Sequence, residues 1–188
     1  MRLALASTLL CALAGAAVAE PVVYGLDPTH SFVNFELLHF GTSTIRGRFG
    51  PIEGQVNLDR VAGRGRLDIA VATASVSTGW RPFDARIREP DLLDSDAFPQ
   101  ARFVAAEFRF EGDLLVAVRG DLTLRGVQRP LLLRAKHFAC EWRAILAVEV
   151  CGGDFEGEIL RSEFGAAFGV PFVADRVRLL VQVEAVRP

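Results

Sequence analysis

Alternation with a period of two constrains this chain more than any other feature. In the stretch from Leu26 to Phe49, Val33, Phe35, Leu37 and His39 fall on one face of an extended segment, with Asn34 and Glu36 on the other. A turn at Gly41 follows, and Ile45, Gly47 and Phe49 resume the pattern. Successive side chains of a strand point to opposite faces, so two such runs predict strands with one apolar face. The same signal recurs along the chain. Gly54, Val56 and Leu58 share a face, as do Leu67, Ile69 and Val71, and then Ala106, Phe108 and Phe110. Further segments run over Leu114–Arg119, Leu122–Leu124, Leu131–Ala135, Phe155–Ile159 and Val177–Val183. Short strands at this spacing, with turn residues between them, predict an all-β barrel or sandwich.

One interval lacks the pattern. Gly79–Phe103 is rich in Asp, Arg and Pro, and one or two helical turns over Asp84–Glu89, stopped by Pro90, are expected within it. Connections of this length in compact domains tend to be lids, binding loops or caps, so the segment is expected to cover one end of a barrel.

The N-terminus reads as an address. Met1-Arg2, the apolar run Leu3–Ala14 and the small residues Ala17-Val18-Ala19 predict a cleaved signal peptide over 1–19. The remaining 20–188 suits one domain. Export leaves Cys140 and Cys151 as an isolated pair, for which a structural disulfide is expected. Their spacing is not C-x-x-C, and no second pair completes a zinc site. Without Arg2, 20 basic residues face 23 acidic ones, a balance that gives no reason to invoke nucleic acid.

Candidate chemistry is sparse. His30 and His39 lie nine apart, at opposite parity, and so face opposite sides of a regular strand. Ser31 adjoins His30 but lacks a nucleophile-elbow motif. Asp91, Asp94 and Asp96 lack the glycine and closing glutamate of a calcium loop. No catalytic residue, metal or resident cofactor is expected. The fourteen phenylalanines say more, because Phe35, Phe49, Phe108, Phe110, Phe155, Phe164 and Phe168 fall on predicted inner faces. A closed barrel of about eight strands is just wide enough for one small ligand if its side chains leave room. Gly47, Gly54 and Gly157 either withdraw volume there or mark bulges. The residues alone fit a filled and an open barrel equally.

Four blocks in order resemble the YceI family. The first runs from Asp27 and His30-Ser31 through His39 to Gly47-Arg48-Phe49; the second is Asp84, Ile87-Arg88, Asp91, Asp94, Phe98-Pro99 and Phe103. Gly120–Leu133 carries G-x-L-T-x-x-G-V-x-x-P, and the last block joins Asp154-Phe155, Arg161-Ser162 and Phe164-Gly165. Arg86 and Ile87 depart from the His and Leu usual in relatives. The resemblance implies an antiparallel lipocalin-like β-barrel of about eight strands with a short helical insertion over one end. It also implies a periplasmic, non-enzymatic carrier that holds a polyisoprenoid or similar long-chain lipid without covalent chemistry. The expected lining is Phe35, Leu37, His39, Phe49, Val56, Ile69, Phe108, Phe110, Phe155 and Phe164, with Arg86 and Arg88 at the mouth for a polar or anionic head group. An alternative is a quinone-handling accessory of a membrane b-type cytochrome system. A third reading is a lipid isomerase, with His39 as the polar group inside the barrel. Expected partners are the lipid, a transient membrane or membrane-cytochrome contact, and a second copy through outward Phe32, Leu38 and Phe40.

Overall fold

A computed structural model describes residues 21–187, so the expected signal segment lies outside the described residues. Ten strands form one antiparallel sheet: β1 (Val22–Leu26), β2 (Phe32–His39), β3 (Ser43–Phe49), β4 (Ile52–Asp59), β5 (Arg64–Ala72), β6 (Gln100–Glu111), β7 (Leu114–Leu124), β8 (Val127–Arg143), β9 (Val148–Leu160) and β10 (Arg176–Arg187). Their order is β1-β4-β5-β6-β7-β8-β9-β10-β2-β3, and a β1–β10 pairing closes the ring.

Ten strands make eight positions because two positions are broken in the middle. One edge of β10 pairs with β2 over Arg178–Gln182 and with β1 at Ala185–Val186, so β1 and β2 are halves of one interrupted strand. β3 and β4, joined at Gly50-Pro51, are halves of its neighbour. At the first break the Asp27 carboxylate accepts from the Thr29 N–H (2.8 Å) and hydroxyl (2.6 Å) and meets His30 Nδ1 at 2.7 Å. His30 is therefore a turn residue. Fully buried Ser31 bonds both backbone groups of Glu184 and so ties the break to β10.

The eight-position barrel expected from the sequence is the fold observed. Its closure is uneven. β5 stops at Ala72, so the edge of β3 that faces away from β2 meets no strand and forms only one bridge, between Arg48 and Ser77. The segment 73–99 occupies that gap, as expected for the insertion. Its helix α1 (Arg81–Ile87) starts three residues before the expected Asp84. Pro82 explains the difference: proline suits the first helical turn, where an N–H would be unpaired anyway.

Outward faces carry charge. A chain of ion pairs crosses five adjacent strands, from Arg46 to Glu36 (3.1 Å), Arg178 (3.4 Å), Glu156 (2.6 Å) and Lys136 (3.1 Å). Inward faces are hydrocarbon, with Ile52, Phe103, Leu131, Leu133, Phe155 and Val181 in the main cluster. A barrel polar outside and greasy inside reverses the arrangement of membrane-spanning barrels. The expected inner position of Ala106 is not observed. A bulge between Ala105 and Glu107 shifts the register, so Ala105 and Phe108 point inward and Ala106 is exposed. Cys140 and Cys151 lie opposite each other on β8 and β9 and form the expected disulfide.

Candidate functional site

The barrel is not packed solid. A cavity of about 500 Å³ opens at the end formed by the β2–β3 turn, the 73–99 segment and the 161–175 connection. Strands supply its walls by simple alternation: Val33, Phe35 and Leu37 from β2, Leu131 and Leu133 from β8, and Val177, Leu179 and Val181 from β10. A smaller space of about 80 Å³ lies toward the closed end, around Tyr24, Leu58 and Leu115. Ile69, Phe103, Leu133 and Val181 line both and form the partition between them.

Of the residues expected at a ligand site, Phe35, Leu37, His39, Phe49, Ile69 and Arg86 line the larger cavity. Val56, Phe108 and Phe155 line the smaller one, which Ile69 also borders. Phe110, Phe164 and Arg88 line neither. Phe110 follows a second register shift in β6 and sits near Gly63 at the closed end. Phe164 is buried on a 3₁₀ turn outside the strands, and Arg88 caps α1. Phe168, expected as core, stands at the aperture and is more than half exposed. Expected outward-facing Phe32 is covered by the Arg48 guanidinium, 4.4 Å from its ring centroid.

The glycines do not create the room. A Cβ on Gly47 would sit 2.5 Å from Phe35 Cζ, so the absent side chain is where the Phe35 ring rests. Gly157 likewise receives Leu133. The space lies beside the uneven closure at β3, where the insertion stands in place of a strand and lends Phe83, Ile87, Leu92 and Leu93 to the lining.

Arginines hold this end together. Arg86, expected to meet a head group, donates to both oxygens of Asp91 (2.6 and 2.7 Å) and to Glu89 (2.9 Å). Asp91 holds the Arg86 guanidinium above its ordinary value, and Arg86 lies 4.4 Å over the Phe168 ring. Its charge is already compensated, so its place at the mouth is that of a clamp. Arg161 is the residue that sequence reasoning left without a role. It is buried and donates to four carbonyls of its own loop: Ala174 (2.9 Å), Ala166 (2.6 Å), Phe168 (2.9 Å) and Val173 (2.8 Å). Burial pushes its pKa down, opposed by Asp175. Arg125 donates to Pro90 (2.8 Å), Leu92 (2.6 Å) and Phe164 (3.1 Å), which ties the insertion to that loop. The signal for Arg161 was its place beside Ser162 in the last motif, but nothing local to the sequence says whose carbonyls it meets. His39 reaches the cavity rim and packs edge-on against Phe40, with ring centroids 4.7 Å apart. Its ring forms no hydrogen bond among the described residues.

Chemically, the arrangement can strip water from a hydrocarbon chain and hold it. Pockets of a few hundred Å³ lined by apolar groups are ordinary small-molecule sites.

Comparison with known proteins matches these features. Residues 24–185 fit the model of the YceI-like domain. The chain is 31% identical to protein YceI of Shigella flexneri over 178 residues, covering 93% of this chain and 91% of that protein. Among solved structures, BcnA of Burkholderia cenocepacia shares the fold with a TM-score of 0.68 at 22% identity, covering 85% of this chain and 98% of that one. A polyisoprenoid binding domain from Saccharophagus degradans superposes with a TM-score of 0.64 at 18% identity, covering 89% and 99% respectively. With the motif blocks, barrel and family match in agreement, this chain belongs to the YceI family.

Proposed function

We propose that this chain is a single-domain exported lipid-binding protein, which carries a polyisoprenoid or similar long-chain apolar molecule through the periplasm with its tail in the barrel. The observation that carries this is the cavity of about 500 Å³, walled by hydrocarbon and open at one end. The polyisoprenoid binding domain that shares its fold supports the choice of ligand class, and the N-terminal signal pattern supports export. At roughly the 30 Å³ per small group found in a liquid, the space takes about 15–17 carbons. Such a tail gains about 12 kcal/mol on leaving water, at about 0.8 kcal/mol per methylene. Association costs about 4–15 kcal/mol. Tail length therefore decides whether binding is useful, and a longer tail emerges at the mouth. Binding, with no covalent step, is the activity this supports.

The test is direct. The protein is purified without detergent, extracted with organic solvent, and the extract analysed by mass. A stoichiometric lipid with a chain of about 15 carbons or more is expected. A quinone in the extract would move the assignment to a redox accessory. A lipid-free extract, together with no uptake of added geranylgeraniol, would overturn the carrier reading.

A further inference from the structure

Three aromatic residues that line the cavity also face water. Phe40, Phe168 and Phe172 are 60%, 57% and 66% exposed. They belong to two tips that meet at the aperture. The Phe40 N–H donates to the Phe172 carbonyl (2.7 Å), the Ala174 N–H donates to the Leu38 carbonyl (2.9 Å), and the Phe40 and Phe172 rings stack 5.9 Å apart. Leu38 and Val170 extend the patch. Apolar surface thus runs unbroken from the bore, through the opening, to the outside.

Phe40 carries a second, independent signal. It holds φ 50°, and Gly41 after it holds φ 69°, in the three-residue connection between β2 and β3, where the Thr42 N–H donates to the His39 carbonyl at 3.0 Å. Positive φ is a conformation that Asn, Asp and Gly accept and a bulky aromatic resists. One residue is therefore unfavourable twice over, in its backbone and in its contact with water. Neither hairpin formation nor core packing benefits. Such local conflicts with folding physics gather where function imposes them.

From these observations we infer that the rim of Phe40, Phe168 and Phe172 inserts into the surface of a lipid bilayer, setting the aperture against the lipid tails so that a ligand passes between membrane and bore without crossing water. The inference rests on the carrier reading above. A bilayer fits better than a second copy of the chain, because two copies joined rim to rim would seal both apertures. The segments around the aperture carry charges of both signs: Arg81, Arg88, Asp94 and Asp96 on the insertion and Glu163 on the 161–175 connection. Arg86, the cation beside Phe168, is already paired with Asp91 and Glu89. Insertion is therefore driven by apolar area and needs no anionic lipid.

Flotation of the full protein with phosphatidylcholine vesicles tests this. The wild type is expected to float with the vesicles equally at low salt and at about 0.5 M salt, where surface electrostatics are screened. Phe40→Asn should lower the partition coefficient about tenfold, while the thermal midpoint holds or rises because Asn suits the turn. Phe40→Asn with Phe172→Ser should abolish flotation. Ile145→Ser, at a fully exposed residue on the β8–β9 turn at the opposite end, should change nothing. Failure of the wild type to float, unchanged flotation of Phe40→Asn, or binding that needs anionic lipid and vanishes in salt would each overturn the inference. So would a dimer, seen by light scattering, that Phe40→Asn dissolves. Uptake of geranylgeraniol without vesicles separates the two levels: uptake without flotation sinks the docking alone, and loss of both sinks the cavity reading as well.

Discussion

Phe103 stands between the two internal spaces, and removing its ring should lengthen the ligand the protein accepts. The residue is 6% exposed, lines both cavities and packs with Ile52, Leu131, Leu133 and Val181. Truncating a buried phenylalanine to alanine costs about 3–5 kcal/mol. Here the low end applies, because a ring with a void on either side has fewer dispersion contacts to lose. A loss of about 3 kcal/mol lowers the melting temperature of a domain this size by about 6–12 °C. Phe103→Ala would join spaces of about 500 and 80 Å³ and add the volume of the deleted ring. The second space alone is worth about three carbons. The assay is displacement of a fluorescent apolar probe by straight-chain alcohols of increasing length. For the wild type, affinity should rise about fourfold per methylene and level off near 15–17 carbons, when the larger space is full. In Phe103→Ala the rise should continue for several carbons more. A wild-type series without a break, or a break that the variant leaves in place, would refute the claim that the tail lies in this cavity.

Two further perturbations address the frame around the site. Arg161→Met removes four charge-assisted donors from carbonyls of the 161–175 connection. It should cost at least about 3 kcal/mol and expose new protease cuts within 166–173; an unchanged melting temperature and digestion pattern would contradict the role given to Arg161. The second concerns acid. The Glu156 carboxyl is held at about 2 by Arg178 first and then Lys136, below its ordinary 4.5. Its folded value is depressed, so its contribution is present above about 4.5 and is lost as pH falls from there through about 2. Thermal melts across that window should fall more steeply for the wild type than for Glu156→Gln. Asp27, held at about 2 by Thr29 and His30, keeps part of the slope in both proteins. Identical acid limbs would show that the ion-pair chain contributes nothing.

What was legible in the sequence was what a single strand decides for itself. Val33, Phe35, Leu37 and His39 all reach the cavity, because alternation is a property of one extended backbone and needs no partner. Ala106 defeated the same logic. It sits at a register shift in β6, and a bulge exists only against a paired strand. Phe83 reaches the cavity from the short helix α1, and Phe168 and Phe172 reach it from irregular backbone, where no strand period marks an inner face. Arg86 was recognisable as a cation near a mouth, but its pairing with Asp91 depends on how the chain turns after α1.

The residues by themselves therefore determined a succession of alternating strands fit for a barrel or a sandwich, a helical insertion, a disulfide and much of the apolar wall, and the resemblance to the YceI family narrowed these to an antiparallel barrel of about eight strands. The first set follows from local periodicity, turn residues and residue chemistry. Only the tertiary structure decided whether the barrel was hollow. Inward side chains from β2, β8 and β10 leave a cavity of about 500 Å³ between them, and where β5 ends at Ala72, level with the junction of β3 and β4, a loop and short helix stand in the wall in place of a strand. Room inside a barrel is what remains after every element has been placed, and no single segment carries that information.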